Sequence, residues 1–217
     1  MSDPESRQGH GYATPEILDW LDRLHAAHDA PLEKAFDAPG RHGMPAIQLG
    51  PSEGRLVELL LTLVRAERAV EIGTLAGYSA IRIARALPPG GRLWTIEADP
   101  KHAAVARASL EVAGVADRVA VLEGAALGIL PTLEKLGPFD AVFVDADKGS
   151  YDAYGRWAAR NLRPGGLLLG DNAYLFGRLM ETNDEAAAMR RFHEEAALRF
   201  DTVCIPTPDG LLLGVKR

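Results

Sequence analysis

The sequence predicts an α/β fold, a doubly wound and mostly parallel seven-stranded sheet that ends in a C-terminal antiparallel hairpin. Five short apolar runs lack polar alternation, which is typical of strands buried on both faces of a parallel sheet. Helix-like segments separate these runs, so the crossovers should be right-handed. The last two strand-like runs are joined only by the turn-forming residues PTPDG at 206–210, and so short a connection indicates an antiparallel pair.

The first 42 residues are predicted to form a variable N-terminal part, a loose tail followed by helices, and residues 43–217 to form the main domain. A helix should begin at Thr14 as N-cap and Pro15 as first helical residue. Its apolar stripe consists of Ile17, Leu18, Leu21 and Leu24. Residues 38–51 carry glycine and proline, and we expect a connection there that serves as a lid or binding loop rather than a domain linker.

A second helix should begin near Ser52, and from there strands and helices alternate. The predicted buried face of this helix is Leu56, Leu59, Leu60, Leu63 and Val64. The predicted strands are 69–72, 93–97, 119–122, 141–144, 167–170, 202–205 and 211–215. The predicted helices between and after them are 79–87, 101–113, 127–136, 151–162 and 185–198. In such a sheet, ligands bind beyond the carboxyl ends of the parallel strands.

Composition limits the class of protein. Hydrophobic types make up 47% of the 217 residues, enough for one substantial core. The net charge of −6 disfavours a general nucleic-acid binder, which normally presents a basic face. The single cysteine, Cys204, excludes an intrachain disulfide and fits a reducing compartment. Because no signal-peptide core and no run of about 20 apolar residues is present, we expect a cytoplasmic protein without membrane association.

A glycine-bearing loop follows the first strand of the predicted sheet. Gly73 and Gly77 allow a sharp turn and a close approach to a ligand, and Glu97 ends the second strand where an acid meets ribose hydroxyls in such folds. The spacing is not G-x-G-x-x-G, which disfavours a nicotinamide dehydrogenase. Glu71 suits a ligand with an ammonium or sulfonium charge, such as S-adenosylmethionine. The alternative is that the glycines only form a tight turn and Glu71 is solvated.

Polar side chains follow the fourth and fifth predicted strands. Asp145, Asp171 and Asn172 should emerge at the same edge of the sheet, and two carboxylates with an amide oxygen form a site for a hard cation. Mg²⁺ is the first expectation, with Mn²⁺ and Ca²⁺ as alternatives. Lys148 is placed to take a proton from a hydroxyl at that cation. The alternative interpretation is structural, with Asp171-Asn172 as a turn and Asp145 as a helix cap.

With these residues assembled, the chain resembles the small cation-dependent O-methyltransferases, the family that includes caffeoyl-CoA and catechol O-methyltransferases. The resemblance runs from about residue 43 to residue 217. Its motifs are GMPAIQ at 43–48, VEIGT at 70–74, GYS at 77–79, FVDADK at 143–148, GDN at 170–172 and PTPDGL at 206–211. The implied fold is the Rossmann-like methyltransferase fold, and members of the family commonly form homodimers.

The resemblance also implies roles for individual residues. The implied S-adenosylmethionine-binding set is Leu49, Glu71, Gly73, Thr74, Ser79, Glu97, Ala126, Asp145 and Asp147. Within it, Glu97 holds the ribose and Ala126 lies at the adenine. The implied metal ligands are Asp145, Asp171 and Asn172, and the implied catalytic residues are Lys148 as general base and Asp145 beside cofactor and substrate. Met44, Tyr174 and Phe176 are the candidate substrate residues.

The sequence therefore predicts an enzyme that transfers a methyl group from S-adenosylmethionine to a hydroxyl of a small, catechol-like aromatic acceptor, with a divalent cation. Residues 173–177 read AYLFG where the family commonly has VLWSG, and because this segment borders the acceptor, the acceptor itself stays open. One alternative is methylation of a hydroxylated nucleoside in tRNA, against which the acidic charge argues. Another is a non-catalytic module that binds S-adenosylmethionine, which needs neither the acids nor Lys148.

Overall fold

The computed structural model describes residues 11–217, so most of the predicted N-terminal tail lies outside the described residues. A seven-stranded sheet flanked by eight α-helices forms this part of the chain. The strands are β1 Arg68–Ile72, β2 Arg92–Glu97, β3 Val119–Glu123, β4 Phe139–Val144, β5 Leu162–Gly170, β6 Phe200–Ile205 and β7 Leu211–Lys216. The helices are α1 Pro15–His25, α2 Ala30–Arg41, α3 Pro51–Leu63, α4 Tyr78–Ala86, α5 Pro100–Val112, α6 Ala126–Leu133, α7 Tyr151–Asn161 and α8 Asp184–Arg199. Single 3₁₀ turns lie at Ala116–Arg118, Glu134–Leu136, Lys148–Ser150 and Leu175–Gly177.

The strand order is β3-β2-β1-β4-β5-β7-β6. Strands β1 to β5 pair in parallel, whereas β7 runs antiparallel to both β5 and β6. This confirms the predicted doubly wound sheet with its terminal hairpin. The order reverses between β1 and β4, because the chain returns from β3 at one edge to a place beside β1. The carboxyl ends of β1 and β4 therefore diverge at the point where open α/β sheets bind ligands.

Both faces of the central strands are buried, as the lack of polar alternation predicts. On β1, Val70 and Ile72 pack in a core that includes residues of α6, α7 and α8. The intervening Ala69 belongs to a second core, with residues of α2 to α5. Because side chains alternate across a strand, one apolar run supplies both cores. The rigid sheet between them fixes the loops at its carboxyl edge.

The segment between the first helices differs from the prediction. Residues 38–41, predicted to be part of a connection, lie in α2, a helix that the sequence pattern did not reveal. Asp29 caps α2 by accepting a hydrogen bond from the Leu32 N–H at 3.0 Å, and Leu32 and Ala35 are buried. Pro39 lies inside the helix, which ends two residues later at Arg41. A proline and a glycine in the last turn hid an otherwise well-capped helix.

The buried face of α3 is also different from the predicted one. Val57 and Leu61 are buried with Gly54, whereas Leu59 and Leu63 are 44% and 77% exposed. The run LVELLLTLV carries leucine on every face, so its periodicity does not select one. Gly54 decides the orientation, because a Cβ there would lie 2.9 Å from the ring of Tyr78.

Helix α1 begins as predicted, since the Thr14 hydroxyl accepts a hydrogen bond from the Ile17 N–H at 3.3 Å. None of its residues is fully buried. Within its predicted apolar stripe, Leu18 and Leu21 are half-buried, whereas Ile17 and Leu24 are exposed. Ile17, Trp20 and Leu24 are 45%, 58% and 59% exposed. No helix within residues 11–217 combines the length and the apolar content required to cross a membrane.

Candidate active site

A cleft of about 810 Å³ lies at the carboxyl edge of the sheet, where the strand order reverses. Backbone hydrogen bonds extend the sheet into its floor. The Asp145 N–H donates to the Ile72 carbonyl at 2.8 Å, and the Asp171 N–H donates to the Val144 carbonyl at 2.9 Å. Asp145 and Asp171 are thus the first residues beyond two adjacent strands, which places them close together, as the sequence predicts.

The cleft is lined by most of the residues predicted to form the site. These are Leu49, Gly73, Thr74, Ser79, Glu97, Ala126, Asp145, Asp147, Lys148, Asn172 and Phe176. Asp171 and Glu71 are buried beneath its surface. The structure does not bring Met44 and Tyr174 to the cleft: Met44 is buried beside Ala38 and Ala76, and the Tyr174 ring lies against Gly210.

The loop from Gly73 to Gly77 depends on its glycines. Both have positive φ, 97° and 89°, and a Cβ on Gly73 would lie 1.9 Å from the Asp145 carbonyl oxygen. Any other residue at 73 would therefore push β1 and β4 apart at the cleft floor. The Glu97 carboxylate holds this loop, because it accepts hydrogen bonds from the N–H groups of Thr74 at 3.2 Å and Leu75 at 2.8 Å.

Glu71 lies behind this loop rather than in the cleft. It is fully buried, and its Oε2 accepts a hydrogen bond from the Thr95 hydroxyl at 2.5 Å. Burial raises the pKa of Glu71 to about 8, against hydrogen bonds from Ser79 and Thr95 that lower it. Its Oε1 has no partner among the described residues. Glu71 contacts Ser79, which lines the cleft, so it supports the cleft wall from behind.

The acidic cluster contains the half-buried carboxylate of Asp145, the buried carboxylate of Asp171 and one cationic contact, Lys148. Burial and the nearby Asp145 charge raise the pKa of Asp171 to about 8. Burial raises the pKa of Asp145 as well, although Lys148 opposes this. The Lys148 Nζ donates to Asp145 Oδ1 at 3.3 Å and to the Tyr151 hydroxyl at 2.8 Å. When both carboxylates are ionised, they carry more negative charge than Lys148 neutralises.

The structure adds cleft residues to which sequence reasoning assigned no role. His102 lines the cleft, and its Nδ1 lies 3.7 Å from Glu97 Oε1. It lies in the first turn of α5, which directly follows β2, and a first turn after the carboxyl end of a strand faces such a cleft. Tyr154 also lines the cleft and donates to Asp147 Oδ1 at 2.5 Å. Nothing in the local sequence of α7 marks this tyrosine.

Comparison with known proteins gives a consistent result. A family model described as O-methyltransferase matches residues 25–217. The chain is 44% identical over 179 residues to a protein of Niastella koreensis named catechol O-methyltransferase, covering 80% of this chain and 81% of that one. A protein of the same name from Mycobacterium tuberculosis is 43% identical over 175 residues, covering 81% and 79% of the two chains.

Solved structures share the fold over nearly the whole chain. An O-methyltransferase from Bacillus cereus in complex with SAH superposes with a TM-score of 0.89 at 34% identity, covering 93% of this chain and 97% of that one. TomG from Streptomyces achromogenes, in complex with SAM, superposes with a TM-score of 0.87 at 37% identity, covering 93% and 96%. The chain belongs to the O-methyltransferase family, and it is an S-adenosylmethionine-dependent O-methyltransferase.

Proposed function

We propose that this enzyme methylates one hydroxyl of a small vicinal dihydroxy aromatic acceptor and that it requires a divalent cation, with Mg²⁺ as the first candidate. The acidic cluster is the observation that carries this proposal. Asp145, Asp171 and Lys148 converge in the cleft that also contains the glycine loop of the cofactor half. The names of the two bacterial relatives, catechol O-methyltransferase, support the same acceptor class.

The donor set fits a hard cation. Among residues 11–217 no group of three or more His, Cys, Asp or Glu side chains is placed to hold a metal. The ligand set proposed here has two carboxylates, those of Asp145 and Asp171, and the Asn172 amide oxygen. Oxygen ligands are those that Mg²⁺, Mn²⁺ and Ca²⁺ prefer. The raised pKa of Asp171, caused by burial and by Asp145, indicates a site that lacks positive charge.

We propose that the cofactor occupies the half of the cleft formed by the ends of β1, β2 and β3. Gly73, Thr74 and Ser79, with Leu49, bind its methionine part in this proposal. Glu97 takes the ribose, and Ala126 and Asp147 face the adenosine. Glu71 supports this half from behind through Ser79 and Thr95. Each of the positions proposed to contact the cofactor lines the cleft, whereas Glu71 and Thr95 lie behind it.

Bound S-adenosylmethionine supplies an electrophilic methyl group, and the bound cation lowers the pKa of the acceptor hydroxyl. The chain's own contribution is positioning and proton transfer. Asp145, Asp171 and Asn172 would hold the cation at the acceptor end of the cleft, and Lys148 would be the general base whose Nζ receives the hydroxyl proton. After giving up its methyl group, the cofactor would leave as S-adenosylhomocysteine. Alignment in one rigid cleft supplies up to about 7–11 kcal/mol of rate enhancement.

Methyl transfer from labelled S-adenosylmethionine to caffeic acid and 3,4-dihydroxybenzoic acid, with Mg²⁺ or with EDTA, tests the proposal. We expect transfer with Mg²⁺, none with EDTA, and none for Asp145→Ala under either condition. Asp201→Ala is the control, since its carboxylate is 77% exposed on β6. Turnover that persists in EDTA contradicts the cation, and transfer to a tRNA nucleoside but to no diol contradicts the acceptor class.

We also propose that the enzyme is a homodimer in which α1 packs against the partner. Tyr12, Ile17, Trp20 and Leu24 place four large apolar side chains on the surface in a short stretch of chain. An exposed apolar face of this kind is typical of an interaction surface.

A further inference from the structure

The loop between β5 and α8 has an unusual backbone. Asn172, Leu175 and Phe176 all have left-handed conformations, with φ of 53°, 50° and 53°. This region is unfavourable for leucine and phenylalanine, because Cβ crowds the following carbonyl. A loop with several such residues persists only where surrounding groups hold it. Its conformation matters to the site, since Asn172 and Phe176 both line the cleft.

The turn between β6 and β7 holds this loop. The Ala173 N–H donates to the Gly210 carbonyl at 2.9 Å, and the Tyr174 N–H donates to the Asp209 carbonyl at 3.0 Å. The Tyr174 ring covers Gly210 so closely that a Cβ there would lie 2.8 Å from the ring. The loop is thus fixed against a turn that is distant in sequence.

One side chain of the turn takes part in this contact. Asp209 Oδ1 accepts a hydrogen bond from the Phe176 N–H at 2.9 Å. Its Oδ2 is buried and has no hydrogen-bond partner among the described residues. An aspartate in this environment is unfavourable for stability, which points to a role in the site.

Phe176 presents its ring at the mouth of the cleft. The side chain is 58% exposed, although its neighbour Leu175 is fully buried. Lys148 and Asn172 line the same cleft, so the ring borders the half in which we place the acceptor. An exposed aromatic face is suited to pack against another aromatic ring.

We propose that Asp209 is a positioning residue for the acceptor: it fixes the loop of residues 172–177 so that Phe176 forms the wall against which the acceptor ring packs. The part of this inference that concerns an aromatic acceptor rests on the proposed function. The fixing of the loop by Asp209 is independent of which acceptor is used.

Hydrogen exchange tests the fixing of the loop without any turnover. We expect faster exchange of the amides of residues 172–177 in Asp209→Ala than in wild type, both saturated with S-adenosylhomocysteine. Asp209→Asn keeps an oxygen that can accept the Phe176 N–H, so it should retain most of the protection. Asp201→Ala, on the same hairpin but paired with Arg217, should exchange like wild type. Equal exchange of this loop in Asp209→Ala and wild type overturns the proposal.

Kinetics with 3,4-dihydroxybenzoic acid and Mg²⁺ test the effect on the acceptor. Asp209→Ala should lower kcat/KM for the acceptor about 10- to 100-fold, the effect of a misplacement of about 1 Å. The KM for S-adenosylmethionine and the Kd for S-adenosylhomocysteine should change less than about twofold, and Asp209→Asn should restore kcat/KM to within about threefold. A general loss of structure would weaken cofactor binding as well, and that result overturns the proposal.

A double variant links the two residues. Phe176→Ala should raise the acceptor KM, and Asp209→Ala should add little in that background, because both changes remove the same wall. Losses that multiply show that Asp209 acts by another route and overturn the proposal. A wild-type enzyme that methylates no diol overturns the proposed function and with it the aromatic wall. Hydrogen exchange still decides whether Asp209 fixes the loop.

Discussion

Lys148 is held in place from two sides. Its Nζ donates to Asp145 Oδ1 and to the Tyr151 hydroxyl, and it lies 4.7 Å from the centre of the Tyr151 ring. Tyr151 is itself fully buried and bonded to the carbonyls of Val144 and Asp171, at 3.2 and 3.0 Å. The lysine is therefore tied to the ends of both strands that carry the proposed metal ligands. A proton acceptor needs this kind of fixed geometry.

Substitutions of Lys148 test whether it acts as a general base or only supplies positive charge. Lys148→Met should lower kcat about 10²- to 10⁴-fold, the usual contribution of a general base. Lys148→Arg keeps the positive charge beside Asp145, but a guanidinium does not give up a proton, so we expect a similar loss. Steady-state kinetics give kcat, and calorimetry with S-adenosylhomocysteine checks that the cofactor site is intact. Wild-type turnover in the arginine variant would contradict the assigned role.

Two aspartates at opposite ends of β4 have different roles, one in the stability of the sheet and one in the proposed site. Asp145 follows β4 at the cleft, whereas Asp140 lies near the other end of the strand. Asp140 Oδ2 accepts hydrogen bonds from the N–H groups of Glu67 and Arg68 at 2.9 and 2.8 Å. Its Oδ1 pairs with Arg163 Nε of β5 at 2.6 Å. Asp140 thus ties the amino ends of three neighbouring strands.

The electrostatics of Asp140 give a pH-dependent stability. Burial alone would raise the pKa of Asp140, but the Arg163 contact and the backbone hydrogen bonds lower it below its ordinary value. The group therefore contributes stability that is present above the pKa of the unfolded chain. This contribution is lost as the pH falls through the lower pKa of the folded state.

Asp140→Asn should reduce the free energy of unfolding at pH 7 by about 1–3 kcal/mol, the cost of weakening hydrogen bonds to a buried charged group. The difference from wild type should begin to shrink as the pH falls below about 4, where the carboxyl of the unfolded chain becomes protonated, and should disappear only below the lower pKa of the folded state. Urea unfolding at pH 7 and at pH 3 measures both effects. Asp201→Asn, whose pair with Arg217 is exposed, serves as control and should unfold like wild type at both values. A constant difference across this range would show that charge is not the cause.

In the molecule as a whole, α1 contributes no residue to the buried clusters that form the core. It buries none of its residues, yet it carries Ile17, Trp20 and Leu24 on one side. A helix is stabilised mainly by packing of its apolar face, and this exposed face has no such packing within residues 11–217. We therefore propose that it packs against a second copy of the chain. Leu198 on α8 is also a large apolar side chain and is 76% exposed. It serves as the control for substitutions of the apolar residues of α1.

Light scattering after size-exclusion chromatography tests the homodimer. We expect a mass twice that of the chain for wild type, and a shift toward the mass of one chain when Ile17→Ser and Trp20→Ser are combined. Leu198→Ser should leave the mass unchanged. A wild-type protein that stays monomeric at high concentration would contradict the proposal, and the exposed face of α1 would then need another occupant.

The site divides into parts that local sequence reveals and parts that it does not. Gly73, Asp145 and Asn172 stand directly after strand-like runs, so their place at the sheet edge followed from the pattern. His102 and Tyr154 lie within helices, where only the tilt of each helix on the sheet decides which residues face the cleft. Met44 and Tyr174 were chosen by resemblance alone, and their side chains point to other contacts.

Local sequence patterns predicted the alternation of strands and helices, the terminal hairpin, the edge of the sheet that carries the chemistry and the family. These features depend on local periodicity, strand ends and short motifs, all of which are read within a few residues. Only the tertiary structure decided the buried face of α3, the burial of Glu71 and the contact of Asp209 with the loop that carries Phe176. Such features depend on which distant segments of the chain come into contact. Where a helix carries apolar residues on several faces, packing against the rest of the fold determines which face is buried.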